Sequence, residues 1–339
     1  MTNCIIYHVA DMDGWTSAYL LSEYIKLTYG SEAILIPFNY DFDMSIVENK
    51  IAKADGNIYI ADCCLPLPYM KKYADRIIWI DHHVSAITEI ANAGNIHLKE
   101  NYSAVNADIY NQKQIQVAAC ELVWSYCCRN NSGFSRLFNT ENKCPLFVQL
   151  AGRYDVWDKH TVPGADAFNA YVRYMLHQSR NKGYPFMDSW FTALTNDEYV
   201  RTTVLNKGKE LLTIQQNNWN IQSRKLTSLY WHGNYQIAIA NVSSVNSNFF
   251  NNLMLNKNAI VGIIFAFHME TNAVQTSFYT LKQNNAEGIT ATDVMLACVN
   301  ALPQDKIKSF GGHKHACGMT FDDSVYPLFK QWIKNEIKK

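Results

Sequence analysis

The chain has 339 residues, of which 48% are hydrophobic and 18% are charged. This length favours two domains over one small core, and the composition excludes an intrinsically disordered protein. Lysine and arginine together number 30, as do aspartate and glutamate, so the net charge is zero, which argues against a large basic face for duplex nucleic acid.

Cysteine usage and the lengths of the apolar segments set the expected compartment. The nine cysteines include no CxxC pair, and residues 1–14 lack a basic region followed by an apolar signal segment. The strongest apolar run, residues 259–267, is about half as long as a bilayer-spanning helix. We therefore expect a reduced, cytoplasmic protein without a membrane segment.

Strands alternate with helices in the first part of the chain. Four short apolar runs rich in β-branched residues predict buried strands at residues 3–8, 33–38, 57–62 and 76–81. Helical spacing after the first strand ends at Gly30, a favourable helix C-cap, and a second helix is predicted from about Ser45 to Gly56. These crossovers predict a parallel sheet.

The remainder of the chain changes pattern near residue 196. Helices are predicted at 115–128 and 145–152, and a long polar helix from 196 to about 226. Strands at 235–242, 259–268 and 273–281, followed by a helix at 290–302, predict a second α/β domain. We therefore expect a catalytic domain at residues 1–195, a helical linker at 196–228 and a smaller substrate domain at 229–339.

Carboxylates and histidines follow three of the four N-terminal strands. They are His8, Asp11 and Asp13 after the first strand, Asp62 after the third, and Asp81, His82 and His83 after the fourth. Because the C-terminal ends of parallel strands share one edge of the sheet, where open α/β folds bind ligands, we expect these side chains to converge. Four carboxylates and three histidines in one crevice would need a cation to neutralise them.

The ligand types narrow the identity of that cation. Mixed carboxylate and imidazole ligands suit manganese, iron, zinc or cobalt. Two ions roughly 3.5–4 Å apart, bridged by one carboxylate and an activated water, would suit in-line attack on phosphorus. Each motif alone has a simpler explanation, since DxDG is also a turn or calcium-loop fragment and an aspartate after a strand is often a helix N-cap.

The ordered motifs resemble those of the DHH phosphoesterase superfamily, which is named for its Asp-His-His sequence. They are HVADMDG from His8, IADCC from Ile60, IDHH from Ile80 and LAGRYDVWD from Leu150. SFGGHKHACGMTF from Ser309 resembles the GGH-x-x-A-x-G signature of the associated DHHA1 domain. The resemblance implies an α/β fold with a mainly parallel-sheet DHH domain joined by a long helical linker to a smaller α/β DHHA1 domain. Within the superfamily, the motifs are most similar to the nanoRNase or oligoribonuclease branch.

The resemblance also implies roles for individual residues around two Mn²⁺ ions, with Mg²⁺, Co²⁺ or Zn²⁺ as alternatives. One ion would be held by His8, Asp11 and Asp62, and the other by Asp13, Asp62, His82 and Asp155, so that Asp62 bridges them. Asp81 would orient His82, because a ligating imidazole needs its other nitrogen fixed. His83 would face the substrate phosphate, which makes Asp62, Asp81 and His83 the expected catalytic residues.

Two departures from the family pattern are visible. Only Val9 and Ala10 separate His8 from Asp11, where many relatives have three intervening residues, so the ligand role of His8 is open. Tyr279 stands where relatives often carry an arginine, and a tyrosine cannot form two parallel hydrogen bonds to phosphate.

The C-terminal motif offers candidate substrate contacts. Gly311 and Gly312 allow the backbone to approach phosphate oxygens closely, and His313 and His315 could contact the substrate. The simpler alternative is a glycine-rich turn with exposed histidines. Further candidates are Tyr154, Trp157 and Phe310 for base stacking, against ordinary packing, and Arg153 for a phosphate path, against a solvated surface.

Together these features predict a manganese-dependent phosphodiesterase that hydrolyses short oligoribonucleotides or dinucleotides to mononucleotides through a water activated by two metal ions. The first alternative is a small-molecule phosphatase acting on 3′-phosphoadenosine 5′-phosphate, cyclic dinucleotides or polyphosphate. The second is an inactive nucleotide-binding module. We expect neither long duplex nucleic acid nor a membrane as a partner. The sequence is compatible with a homodimer.

Overall fold

The computed structural model describes the chain except residues 41, 104–115, 140–142, 159, 180–183, 186–187, 233–234, 243–248, 251–252, 255–257, 281–287 and 337–339. The side chains of residues 224–227, 230–232, 235, 313, 335 and 336 are likewise not described. The chain divides into two compact units, Met1–Leu212 and Thr213–Lys339, which we call the N-terminal and C-terminal units. The limits of the expected domains and linker stay predictions.

The N-terminal unit is built on a five-stranded parallel sheet with the strand order β2-β1-β3-β4-β5. Its strands are β1 (Cys4–His8), β2 (Ile34–Phe38), β3 (Ile58–Ala61), β4 (Ile77–Ile80) and β5 (Glu100–Asn101). The parallel sheet that the apolar runs predict is confirmed. The sequence did not indicate β5, because a strand of two polar residues has no periodicity to detect.

Helices cover both faces of this sheet. The helices of the N-terminal unit are α1 (Met12–Tyr29), α2 (Met44–Ile51), α3 (Leu67–Lys72), α4 (Val84–Ala93), α5 (Ala119–Asn130), α6 (Leu146–Asp155), α7 (Ala165–Gln178), α8 (Ser189–Thr192) and α9 (Asp197–Tyr199), and α10 (Leu205–Leu226) begins in this unit and continues past Leu212 into the C-terminal unit. Alternate residues of β1 enter two apolar clusters, Ile5 and Tyr7 in one and Cys4 and Ile6 in the other. Burial on both faces explains why the strands are continuously apolar.

The C-terminal unit contains a six-stranded mixed sheet with the order β10-β11-β9-β8-β7-β6. Its strands are β6 (Thr227–His232), β7 (Tyr235–Asn241), β8 (Val261–His268), β9 (Ala273–Thr280), β10 (Ile307–His313) and β11 (Ala316–Asp322), and its helices are α11 (Ala291–Ala301) and α12 (Tyr326–Glu336). Only β7 and β8 pair in parallel among the described strands of this sheet. The expected second α/β domain is confirmed.

The apolar core of the C-terminal unit lies on both faces of its sheet. Val274 and Phe278 of β9 share one cluster with residues of α11 and α12. Tyr279, on the opposite face, is buried in another cluster with its ring 5.2 Å from that of Phe250. Within the described parts of the chain, no helix has both the length and the apolar character needed to span a bilayer.

Candidate metal centre

The first motif places helix α1 directly against the end of β1. Asp11 is the N-cap of α1, and its carboxylate accepts a hydrogen bond from the Gly14 amide at 3.1 Å. A Cβ atom at position 14 would lie 1.9 Å from the His8 carbonyl oxygen. The glycine of the DMDG sequence is therefore needed for close packing, because any side chain there would push the helix away from His8 and Asp11.

Asp62 occupies the centre of the cluster. It follows β3, is 1% exposed and has a left-handed backbone with φ of 59°. A left-handed conformation costs a non-glycine residue about 1–2 kcal/mol, although aspartate tolerates it better than most. Its Oδ2 lies 3.6 Å from Nδ1 of His8, and its Oδ1 lies 3.4 Å from Nε2 of His82. One carboxylate oxygen thus faces each of two groups of side chains.

The first group consists of His8 and Asp11 beside Oδ2 of Asp62. Nδ1 of His8 lies 3.0 Å from Oδ2 of Asp11. The second group consists of Asp13, His82 and Asp155 beside Oδ1 of Asp62. Nε2 of His82 lies 3.6 Å from Oδ2 of Asp13 and 3.3 Å from Oδ2 of Asp155.

Helices α5 and α6 complete the second group from outside the sheet. Asp155 is the last residue of α6. The two oxygens of Asp13 accept hydrogen bonds from the backbone amides of Ala119 and Cys120, at 2.8 and 2.6 Å, in the first turn of α5. The two amides therefore fix the position of this buried carboxylate at the positive end of the α5 dipole.

Asp81 contacts a different imidazole from the one that the sequence prediction assigned to it. Its Oδ1 accepts hydrogen bonds from the backbone amides of His82 and His83, at 2.7 and 3.2 Å, and lies 2.8 Å from Nδ1 of His83. This local turn folds the carboxylate back toward the second histidine. Asp81 thus orients His83, while Nε2 of His82 faces the carboxylates of the second group.

The crowded charges shift the pKa values of the cluster. Burial raises the pKa of Asp62 well above its usual value, and the neighbouring Asp13 and Asp11 carboxylates add to the rise. Burial, followed by the charge of Asp13, raises the pKa of Asp155 to about 7. Burial lowers the pKa of His8, but its interactions with Asp11 and Asp62 outweigh this and raise it to about 10. Protons must therefore neutralise the cluster when no cation does.

The donor set fits divalent cations. Three groups of side chains could each hold an ion, because the candidate ligand atoms within each group lie within 4.8 Å of one another. The groups are His8, Asp11 and Asp62; Asp13, His82 and Asp155; and Asp62, Asp81, His82 and His83. Among the described residues, neither oxygen of Asp62 nor Nε2 of His82 has a hydrogen bond of good geometry, although all are buried. Buried polar atoms without partners are costly, and a metal ion would satisfy them.

Arg153 has a structural role that the sequence did not indicate. It is 3% exposed rather than solvated, which corrects the expectation of a surface residue. Its guanidinium forms ion pairs with Glu121 of α5 and with Asp158, the latter at 3.1 Å. These contacts tie α6, which carries Asp155, to α5, whose first amides hold Asp13. The partner Glu121 lies 32 residues away in sequence, so local pattern could not reveal the pair.

Exposed apolar side chains follow strand β2 and two residues of the cluster in sequence, and the sequence indicated only Trp157 among them. Tyr40 and Phe42 follow β2, Val84 follows His83, and Trp157 follows Asp155; their exposed fractions are 62%, 43%, 76% and 41%. The ring of Tyr40 lies 6.0 Å from that of His8. The sequence could have indicated Tyr40 and Phe42, because β2 runs parallel to β1 and its C-terminal end lies at the same edge of the sheet.

The two glycines of the C-terminal motif lie in a strand of a hairpin rather than in its turn. Gly311 and Gly312 belong to β10 and pair with Gly318 and Cys317 of β11. Gly312 has φ of 132°, and a Cβ atom there would lie 2.6 Å from Cα of Cys317. The glycines therefore permit close strand pairing as well as exposure of the backbone.

Two histidines of the motif differ in what the structure shows of them. The His313 side chain lies outside the described residues. Nδ1 of His315 lies 3.1 Å from Oγ1 of Thr280, and its carbonyl oxygen accepts a hydrogen bond from the Thr280 amide at 3.0 Å. His315 therefore helps to fix the hairpin against β9.

Comparison with known proteins identifies the fold. No family model and no curated protein matches the chain. The structure of a pGpG-specific phosphodiesterase, PggH from Vibrio cholerae, matches 100% of this chain and 99% of its own, with a TM-score of 0.53 and 13% identity. The DHH domain of a member of a family of ribosomal proteins matches with a TM-score of 0.65 and 11% identity, covering 100% of this chain and 87% of its own. Exonuclease RecJ bound to manganese matches with a TM-score of 0.52 and 13% identity, covering 100% of this chain and 90% of its own. The chain therefore has the fold of the DHH proteins, as its motifs predict.

Proposed function

We propose that the chain is a metal-dependent phosphodiesterase that hydrolyses dinucleotides or short oligoribonucleotides to mononucleotides, with Mn²⁺ as its metal. The observation that carries the proposal is the position of Asp62, a buried carboxylate with one oxygen toward each of two ligand groups. Two proteins of the same fold support it, since one is a pGpG-specific phosphodiesterase and the other is an exonuclease bound to manganese.

The ligand assignment follows the two groups. His8, Asp11 and Asp62 would hold one ion, and Asp13, Asp62, His82 and Asp155 would hold the other. When bound, such a pair of ions lowers the pKa of a coordinated water and stabilises charge on phosphoryl oxygens. The ligand role of His8 is supported by the 3.0 Å distance between its Nδ1 and Oδ2 of Asp11, despite the short spacing in sequence.

We assign His83 to the substrate, although it also belongs to one of the groups that could hold a metal ion. Its side chain is 29% exposed, against 12% for His82, and Asp81 fixes its Nδ1. Burial lowers the pKa of His83, but the hydrogen bond to Asp81 outweighs burial and raises it. An imidazolium held in this way can donate a hydrogen bond from Nε2 to a phosphoryl oxygen and stabilise the charge that develops there.

The glycine-rich hairpin is the proposed substrate grip of the C-terminal unit. Gly311 and Gly312 are exposed and offer backbone amides, and His313 and His315 supply the side chains of the motif. Tyr279 does not replace the arginine of relatives as a phosphate donor, because it is 7% exposed and packs on Phe250. The nine cysteines are unpaired, which supports a reducing, cytoplasmic location.

A substrate panel tests the proposal. The purified full chain would be treated with EDTA, restored with Mn²⁺ and assayed on pGpG, pApA, a 12-residue RNA, 3′-phosphoadenosine 5′-phosphate, a cyclic dinucleotide and pyrophosphate. We expect mononucleotide products from the dinucleotides, slower turnover of the longer RNA, and no turnover in EDTA. Preferred release of phosphate from the bisphosphate nucleotide or pyrophosphate would replace the proposal with a small-molecule phosphatase, and ligand binding without any product would replace it with a binding module.

A second experiment separates metal binding from substrate binding. His313→Ala should raise KM for a dinucleotide while the bound Mn²⁺, measured by atomic emission, stays at the wild-type level. Loss of Mn²⁺ from this variant would contradict the assignment of the motif to substrate.

A further inference from the structure

An exposed aromatic residue, Tyr40, borders the proposed metal centre without belonging to it. It lies two residues beyond the end of β2 and is 62% exposed. Its ring centroid lies 6.0 Å from that of His8, with the two planes tilted by 58°. Tyr40 is thus an exposed aromatic residue whose ring lies beside that of a proposed ligand.

The surroundings of Tyr40 hold its ring in place. The ring packs edge-on against Phe38 at 5.5 Å, and Phe38 is 2% exposed at the end of β2. Phe38 is fixed in turn, because its carbonyl oxygen accepts a hydrogen bond from the Val9 amide at 3.0 Å, directly after His8. The position of the ring is therefore set by the same strand ends that position the ligands.

The two ends of the Tyr40 side chain have different environments. Burial of the hydroxyl raises its pKa, and the nearby Cys63 thiol and Asp81 carboxylate add to the rise. The hydroxyl therefore lies near residues that follow β3 and β4, whereas much of the side chain stays exposed. A side chain held at both its backbone and its hydroxyl loses little freedom when a ligand covers its exposed face.

We propose that Tyr40 is the stacking surface for one nucleobase of the substrate. This inference rests on the proposed function and deepens it, because it requires a nucleotide substrate with a base next to the cleaved phosphodiester. A base is joined to its phosphate through one ribose, so a phosphate at the metal centre brings a base to the border where Tyr40 lies. Stacking accepts any base, since each has a π face.

The stacking surface explains an arrangement that packing alone does not. A residue needed only to cover Phe38 could be any apolar side chain, and leaving an aromatic ring exposed beside buried charges gains little burial energy. Phe42, 43% exposed and 6.5 Å from Phe38, extends the same aromatic border. The aromatic character of position 40 is therefore the property to test.

Three variants separate stacking from packing. Tyr40→Phe keeps the aromatic face and removes the hydroxyl, whereas Tyr40→Leu keeps apolar volume and removes the face. Tyr174→Leu is the matched control, because Tyr174 is 47% exposed on α7, a helix that carries none of the proposed ligands. Thermal unfolding and Mn²⁺ binding of each variant show whether the fold and the metal centre are intact.

The measurements are KM and kcat for Mn²⁺-dependent hydrolysis of a dinucleotide and of the two analogues that each lack one base. We expect Tyr40→Leu to raise KM for the dinucleotide by about 5- to 150-fold, the range of base stacking, with a smaller change in kcat. Tyr40→Phe and Tyr174→Leu should stay close to wild type. The effect of Tyr40→Leu should vanish for one singly abasic analogue and persist for the other.

A binding measurement distinguishes failure of this inference from failure of the proposed function. Calorimetry with a non-hydrolysable phosphonate dinucleotide should show weaker binding to Tyr40→Leu by the same factor, whether or not turnover is observed. Equal KM and Kd for wild type and Tyr40→Leu would overturn the inference while leaving the phosphodiesterase intact. Equal losses on both abasic analogues, or no binding by the wild type, would also overturn it.

Discussion

The sheet edge of the N-terminal unit and the glycine hairpin of the C-terminal unit both carry motifs that resemble those of DHH proteins, but they are built differently. At the sheet edge, buried carboxylates and imidazoles hold one another, and Asp62 and Asp81 are almost completely buried. In the hairpin, Gly311 and Gly312 leave the backbone of an edge strand exposed. Side chains fixed by burial suit chemistry on a metal, whereas exposed amides suit contact with a ligand that comes and goes.

The largest expected effect is at the centre of the sheet edge. Asp62→Asn should lower kcat for dinucleotide hydrolysis by about a thousand-fold, or about 4 kcal/mol. The substitution removes the negative charge of the one carboxylate that both ligand groups share. Asparagine tolerates the left-handed backbone of this position, so the fold should survive. Steady-state kinetics against Asp75→Asn, an exposed aspartate outside the cluster, provide the measurement. A wild-type rate would remove Asp62 from the mechanism.

Metal removal should produce the next largest effect, and only at the sheet edge. Mn²⁺ at about 100 times its Kd should stabilise the folded protein by about 2.7 kcal/mol, because the unfolded chain lacks the assembled ligands. Thermal unfolding in Mn²⁺ and in EDTA measures the shift, which Asp155→Asn should reduce and Asp75→Asn should leave unchanged. Identical midpoints with and without Mn²⁺ would contradict the metal centre.

Close packing at the start of α1 should come third. Gly14→Ala should destabilise the N-terminal unit by about 1–3 kcal/mol and weaken Mn²⁺ binding, because the new Cβ meets the His8 carbonyl. Chemical unfolding and Mn²⁺ titration test both effects. Gly133→Ala is the control, since its nearest neighbour is the end of the Asn131 side chain at 3.3 Å. A normal Mn²⁺ affinity in Gly14→Ala would show that close packing at this position is not needed for metal binding.

The smallest effect is expected in the hairpin and sharpens the contrast between the two regions. Gly312→Ala should cost about 1–2 kcal/mol of stability, because alanine disfavours the backbone conformation of this position and its Cβ would meet the Cys317 backbone. It should raise KM for a dinucleotide without changing the amount of bound Mn²⁺. A simultaneous loss of bound Mn²⁺ would show that metal binding and substrate binding are not separated between the two regions.

The sequence predicted those features that depend on neighbouring residues. The four long strands of the N-terminal sheet were predicted within a residue or two, because strands buried on both faces are continuously apolar and bounded by polar residues. Gly30 ends α1 in the left-handed conformation that the glycine predicts. The convergence of the acidic residues after β1, β3 and β4 was also predicted, because the C-terminal ends of neighbouring parallel strands lie along one edge of the sheet.

Features that depend on distant packing escaped the sequence. The pairing of Arg153 with Glu121 joins two helices, and the contact of Asp81 with His83 depends on how the carboxylate folds over two amides. The sequence offered a glycine-rich turn at Gly311 and Gly312 as the simpler alternative, whereas both glycines lie in β10 and pair with β11. The aromatic border at Tyr40 was missed because an aromatic residue after a strand is also typical of ordinary packing.

The contacts of Asp13 have a consequence for how the protein can be observed. Its two oxygens hold the amide protons of Ala119 and Cys120, so the first turn of α5 and the proposed ion share one carboxylate. The exchange of these two protons with heavy water should be slower when the proposed ion is bound and faster when it is removed. Hydrogen exchange at these two backbone amides would then report whether the metal site is occupied, without any added probe.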